Sequence, residues 1–229
     1  MRCIFVLDLF NGAVVHAVRG ERKRYESIDK FSRIVTSSNP IEVMRTIGPK
    51  EVYIADLNIL TGNGDNLSVI KEISRLTKTM ADIGISKISD LNYLPDDISP
   101  ILGTETASLS LIVEASRFRD IAVSIDIKNG RILTEDSVLM AQKPLDFLRR
   151  LNEVRIEAVI LLDLDRVGAS SGLNKTFLEE AVSISDHSLI LGGGVSGIQD
   201  LQSLEDIGFK GVLIATAVHN GMIPIEILH

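Results

Sequence analysis

The chain has 229 residues, a formal charge of −7 and a hydrophobic fraction of 45%, with mean hydropathy +0.22. This composition excludes a disordered polyelectrolyte and speaks against a general nucleic-acid binder. No apolar run reaches the roughly 18–20 residues of a membrane span, and one cysteine, Cys3, permits no internal disulfide, so a cytoplasmic protein without membrane or nucleic-acid partners is expected. The N-terminus enters a strand pattern directly, with no signal-peptide layout. Trp is absent and aromatics are 4%, so the core must be aliphatic, with Cys3 a buried, inert thiol.

Residues 3–7 (CIFVL) form a continuous apolar run, the mark of a strand covered on both faces, and end at Asp8. Asn11-Gly12 marks a turn and residues 13–18 a returning arm. Residues 19–25 (RGERKRY) are the densest basic stretch. They read either as a solvated loop or as a mobile loop bringing cations such as Arg19 to a phosphorylated ligand. Residues 40–47 have helical spacing with Pro in the first turn, and residues 51–55 are a second strand ending at Asp56. A Gly-rich loop (61–64) precedes a helix over 67–76 capped by Asp65 or Asn66. A short third strand covers 78–81, 91–97 is loop-like, 101–102 is a short fourth strand, and 109–118 a helix.

The fifth strand, 121–125, ends at Asp126. A helix follows at 145–154, then a sixth strand at 158–162 ending at Asp163. A Gly/Ser loop (168–172) leads to a helix capped near Asn174. Strand seven (188–191) runs into Gly192-Gly193-Gly194, a helix spans 198–207 with Gly208 as C-cap, strand eight is 211–214, and 224–229 allow a short last helix. Eight buried strands alternating with helices predict an α/β fold, a (β/α)8 TIM barrel in one domain over 1–229; an open doubly wound sheet is the alternative.

The halves repeat. Asp8-x-x-Asn11-Gly12 returns as Asp126-x-x-Asn129-Gly130, and three further segments match in order at offsets of 107 to 112. Two (β/α)4 half-barrels, about 1–118 and 119–229, are predicted. Rotation of one half onto the other places Asp8 and Asp126 on opposite strands, both at the C-terminal face where barrel active sites lie. Two facing carboxyls can divide acid and base work. The competing reading is that each Asp caps its own turn. Gly193 and Gly194 after strand seven, with Ala215 and Thr216 after strand eight, stand where barrels bind phosphate through backbone amides. Their first-half counterparts are Asp82-Ile83, where a carboxylate would repel phosphate, and Gly103-Thr104; the first-half site is therefore expected to be weak. The four histidines show no ligand spacing, so no metal and no cofactor are expected.

Residues 7–20, 124–133 and 191–217 carry a resemblance to the histidine-biosynthesis barrels, over essentially the whole chain. These are phosphoribosylformimino-5-aminoimidazole carboxamide ribotide isomerase and the cyclase subunit of imidazole glycerol phosphate synthase. The isomerase is the more similar, through Asp-x-x-Asn-Gly-Arg after strand five. The resemblance implies an Amadori rearrangement of a phosphorylated aminoaldose, with Asp8 and Asp126 as the catalytic pair. It leaves open a cyclase-type lyase with a glutaminase partner, and a non-catalytic barrel that binds a phosphorylated ligand. Three positions depart from the family pattern: Asp82-Ile83-Gly84-Ile85-Ser86 replaces a Gly-Gly-Gly-Ile-Arg-like motif, Leu162 stands for a functional Thr, and His16 for an Arg. A smaller, singly phosphorylated substrate would fit these changes.

Overall fold

A computed structural model describes residues 1–169 and 172–229; Ser170 and Ser171 of the predicted 168–172 loop lie outside the described residues. Eight parallel strands form the barrel: β1 (Arg2–Phe10), β2 (Glu51–Asp56), β3 (Lys78–Asp82), β4 (Ile98–Gly103), β5 (Ala122–Lys128), β6 (Ala158–Asp163), β7 (Ser188–Gly192) and β8 (Gly211–Ile214). Each pairs with the next, and β8 returns to β1 with Arg2 opposite Gly211 and Phe5 opposite Ile214. That last pairing closes the sheet and rules out the open doubly wound alternative. Short antiparallel strands branch from the top: Ala13–His16 and Glu26–Ser27 from β1, and Arg131–Ile132 from β5. Asn11 and Asn129 take positive φ (51° and 52°) beside Gly12 and Gly130, as the two tight turns require.

Period-two alternation decides what faces the lumen. Ile4, Val6 and Asp8 point inward on β1, while Phe5, Leu7 and Leu9 pack outward against the helices. On β5, Ala122 packs inward, so Ser124 and Asp126 follow it to the same face; Val123, Ile125 and Ile127 face out. Met80 sets the same inward register for Asp82 on β3, as Ile101 does for Gly103 and Ile190 for Gly192. The lower lumen is filled by Ile4, Tyr53, Met80, Ile101, Ile160 and Ile190, so the barrel is a packed core with a polar top.

Several strands extend one to three residues beyond their apolar runs, because their inward polar residues belong to the strand. Strand β4 also begins earlier than predicted. It contains Pro100, opposite Ala81, and proline ordinarily argues against a central strand. Three short α-helices lie outside the predicted elements: Leu57–Thr61, capped by the Asp56 carboxylate through Asn58 and Ile59 N–H groups; Ser137–Met140, capped by Asp136; and Thr216–His219. The helix at Lys175–Ile184 is capped by Asn174, and Gly208 ends Ile198–Ile207 in the left-handed conformation. Cys3 is partly buried on β1, and burial pushes its thiol up. Among the described residues no helix is long and apolar enough to cross a membrane.

Candidate active site

The polar top of the barrel encloses a cavity of about 350 Å³. Asp8, Asp82 and Asp126 line it from β1, β3 and β5, with Tyr53 from β2, Leu162 from β6 and the glycines after β7. The strand-end aspartates thus fall into two classes. Asp56 is fully buried outside the lumen and accepts from Asn58 and Asn66 amide and side-chain groups. Asp163 pairs with Arg166 at 3.0 Å. These two serve the scaffold, as Asx capping predicts; of the three inward ones Asp8 and Asp126 do not cap the turn that follows, whereas Asp82 accepts from the Gly84 N–H through Oδ1.

Asp8 is partly buried, and its carboxyl has no hydrogen-bond partner among the described residues. Desolvation alone lifts its pKa to about 7. Asp126 is buried and held. Its Oδ1 accepts from Ser124 Oγ at 2.6 Å and its Oδ2 from the Glu105 N–H at 3.0 Å, while its own N–H donates to Thr104 Oγ1 at 2.9 Å. Those donors favour the anion, yet burial and the nearby Asp82 charge outweigh them and also raise it to about 7. Asp82 is raised to about 6, mainly by burial, against the Gly84 N–H that bonds its Oδ1 at 2.9 Å. Tyr53, buried among the three carboxyls, stays a protonated phenol well beyond the usual range.

Across the lumen, Gly193 and Gly194 have φ of +92° and +91°, conformations that favour glycine. A Cβ on Gly193 would stand 2.6 Å from the Asp163 carbonyl oxygen. The N–H groups of Gly193, Gly194 and Ala215 donate to no protein acceptor among the described residues. Thr216 Oγ1 meets His16 Nε2 at 3.2 Å, and the His16 ring stacks on Phe31 with centroids 3.8 Å apart. His219 follows on the same turn. Its Nδ1 meets Ser32 Oγ at 2.9 Å, its Nε2 is buried without a partner among the described residues, and burial followed by the His16 charge lowers it to about 4. Burial lowers His16 as well.

Of the predicted site residues, Asp8, Asp126, Gly193, Gly194, Ala215 and Thr216 line this one cavity. Arg19, Gly103 and Thr104 do not. Arg19 is exposed at the rim in a left-handed conformation (φ 50°), fixed by its N–H to Val167 O. Arg22, Lys128 and Arg166 are cations that line the cavity; Arg22 is bound to both Glu105 carboxylate oxygens at 2.7 and 2.8 Å, so that residues 19–25 reach across the mouth. Thr104 is buried with its hydroxyl engaged by Asp126, and Gly103 lies beneath the Asp82 and Asp126 carboxyls. Sequence reasoning missed Tyr53, Glu105, Arg22, Lys128 and His219, and took Asp82 as a carboxylate in a glycine's place that would repel phosphate, without giving it a further role. The inward register of Asp82, two residues after Met80, is the signal that could have found it. Among the described residues no group of three or more His, Cys, Asp or Glu could hold a metal ion.

The sequence pattern of the histidine biosynthesis protein family matches residues 2–224. An uncharacterized protein of Methanocaldococcus jannaschii is 37% identical, over 99% of this chain and 96% of its own length. Proteins of Methanosphaera stadtmanae and Prochlorococcus marinus are each 29% identical, covering 99% of this chain and 97% and 91% of their own. Both are named as isomerases of 1-(5-phosphoribosyl)-5-(5-phosphoribosylamino)methylideneamino imidazole-4-carboxamide.

Proposed function

This chain belongs to the histidine biosynthesis protein family, and we propose that it is an intramolecular oxidoreductase, an aldose–ketose isomerase of a phosphorylated aminosugar. The observation that carries this reading is the pair Asp8 and Asp126, inward on strands one and five and each with a pKa near 7. Two such carboxyls in one cavity supply one protonated and one ionised group close to neutral pH, the condition for paired acid and base work.

In an Amadori rearrangement one carboxyl protonates the ring oxygen of the aminoaldose, and the C1–O bond opens as nitrogen forms a C=N⁺ bond. The other carboxylate removes the proton on C2, and the C–H electrons become the C1=C2 bond of an enolamine. Loss of the O2 proton and return of a proton to C1 gives the aminoketose. Hydrogen moves as protons within one redox-neutral reaction, so the step calls for no cofactor. The unengaged N–H groups of Gly193, Gly194 and Ala215, with Thr216, are suited to hold the phosphate. Neutral His16 orients the Thr216 hydroxyl. Thr104 acts through Asp126, whose backbone it fixes, and not as a phosphate ligand.

Turnover of the aminoaldose named for the 29%-identical relatives, and of smaller phosphorylated aminoaldoses, tests this. Asp8→Asn and Asp126→Asn should each lower kcat by about 10²–10⁴-fold. Full activity in both variants would overturn the mechanism.

A further inference from the structure

We propose that the end of the cavity between β3 and β5 receives a hydrogen-donating, non-anionic group of the substrate, an amine or hydroxyls, and refuses a phosphate, so that this protein acts on a singly phosphorylated molecule. The inference rests on the reading of Gly193, Gly194, Ala215 and Thr216 as a phosphate site, and concerns the opposite half of the cavity.

Three observations lead there. The first is the fate of the donors. Most groups a phosphate would need in the first half are already engaged: Gly84 N–H by Asp82, Thr104 N–H by Ser124 O, Thr104 Oγ1 by the Asp126 N–H, and Glu105 N–H by Asp126. The Ile83 N–H, counterpart of Gly193, is unengaged among the described residues but follows Asp82 directly in the chain. The corresponding N–H groups of Gly193, Gly194 and Ala215 are unengaged among the described residues. Arg22, which faces this end, is bound bidentate to Glu105; Lys128, two residues after Asp126 on β5, also lines the cavity, its Nζ 3.5 Å from the position a Cβ on Gly20 would take, at the mouth.

The second is the placement of acceptors. Asp82 Oδ2 and Asp126 Oδ2 each lie 3.0 Å from the position a Cβ on Gly103 would take, so they are at most about 6 Å apart and converge on one spot. Asp82 Oδ2 accepts no hydrogen bond among the described residues. A phosphate here would face two carboxylates at close range in a partly dry cavity, where like-charge repulsion is only weakly screened. An ammonium or a pair of hydroxyls would satisfy them.

The third is Tyr53. Its side chain is buried, 4% exposed, and lines the cavity among Asp8, Asp82 and Asp126. Its hydroxyl has no partner among the described residues. The ring is buried while the hydroxyl opens onto the cavity, where a ligand or water completes it. Here it offers one donor and one acceptor beside two acceptors, the complement of a hydroxyl or amine.

The test is calorimetric titration of the full chain with two probes, D-ribose 5-phosphate and D-ribulose 1,5-bisphosphate, in the wild type, Asp82→Asn and Asp82→Gly. Asn keeps the acceptor for Gly84 N–H and removes the charge; Gly also opens space. The wild type should bind the monophosphate at least as tightly as the bisphosphate, and both variants should shift the ratio toward the bisphosphate by tenfold or more. Bisphosphate binding tenfold tighter than monophosphate in the wild type would overturn the inference, as would an unmoved ratio in variants with native circular dichroism. If neither probe binds the wild type, the phosphate reading itself falls and takes this inference with it.

Discussion

Replacing Asp8 with Asn should stabilise the fold while lowering kcat by about 10²–10⁴-fold, and the gain in stability should depend on pH. The Asp8 carboxyl is raised from 3.8 to about 7 by burial alone, with no charged partner in the balance. That difference corresponds to about 4 kcal/mol against the ionised form, and solvent reaching the cavity mouth lowers it to roughly 2–4 kcal/mol. Because the folded pKa lies above the unfolded one, the native state holds its proton more tightly. The associated stability is fully present below the unfolded pKa, near 4, and is lost as pH rises through 7. Asn carries no proton to lose. Asp and Asn should therefore be equally stable near pH 4 and diverge as pH rises. At about pH 8, Tm of Asp8→Asn should exceed the wild type by about 5–10 °C for a chain of this size. Thermal scans of both proteins across the pH range measure the difference directly. A gap that does not change with pH, or an Asn variant less stable in mild alkali, would refute the desolvation argument.

The pH profile of kcat/KM should be bell-shaped with both limbs within about one pH unit of 7, since the pair titrates there; a flat profile from about pH 5 to 9 would count against two carboxyls. Ser124→Ala removes a 2.6 Å donor that favours the Asp126 anion, so the limb belonging to Asp126 should move upward and kcat fall by about tenfold; an unmoved profile would show that Ser124 does not tune the site. Gly193→Ala forces a Cβ to 2.6 Å from Asp163 O at φ +92°, which should cost about 1–3 kcal/mol of stability and weaken binding of a sugar monophosphate; denaturant unfolding and titration check both. Arg22→Ala breaks a half-exposed ion pair, so stability should change by less than about 1 kcal/mol, while amide exchange over residues 19–25 quickens. Unchanged exchange there would mean that the Arg22–Glu105 contact does not hold the strap across the mouth.

The barrel was legible because its strands are continuous apolar runs separated by cap and turn signals. Strand β8 and the helix at Ile198–Ile207 matched the sequence reading to the residue, since Gly208 and Gly211 punctuate them. Boundaries were lost where polar residues continue a strand inward, as at Asp82 and Asp126, and at Pro100, whose missing N–H hides a strand. Asp8 and Asp126 were legible because two copies of one motif can be compared. Tyr53, Glu105 and Arg22 were not, because each appears once, and what brings them together is barrel closure and a loop fold that no local pattern encodes.

The two halves differ in a way that separates scaffold from site. Part of the scaffold repeats: Asn11 N–H donates to Asn58 Oδ1, and Asn129 N–H to Asp165 Oδ2. Ser86 binds Asp90 through its N–H and hydroxyl, as Ser196 binds Asp200. These bonds fix the loops that carry the ligand-facing residues, so the loops keep their frame while those residues change. At the paired positions Asp82 and Gly192, one half has gained a carboxylate with its own amide partner and the other has kept an open backbone. A near-symmetric barrel thus presents acceptors at one end and donors at the other, with Asp8 and Asp126 facing the space between. That polarity orients any ligand carrying an anion at one end and hydrogen donors at the other, and it gives the two strand-end aspartates different faces of the same bound molecule.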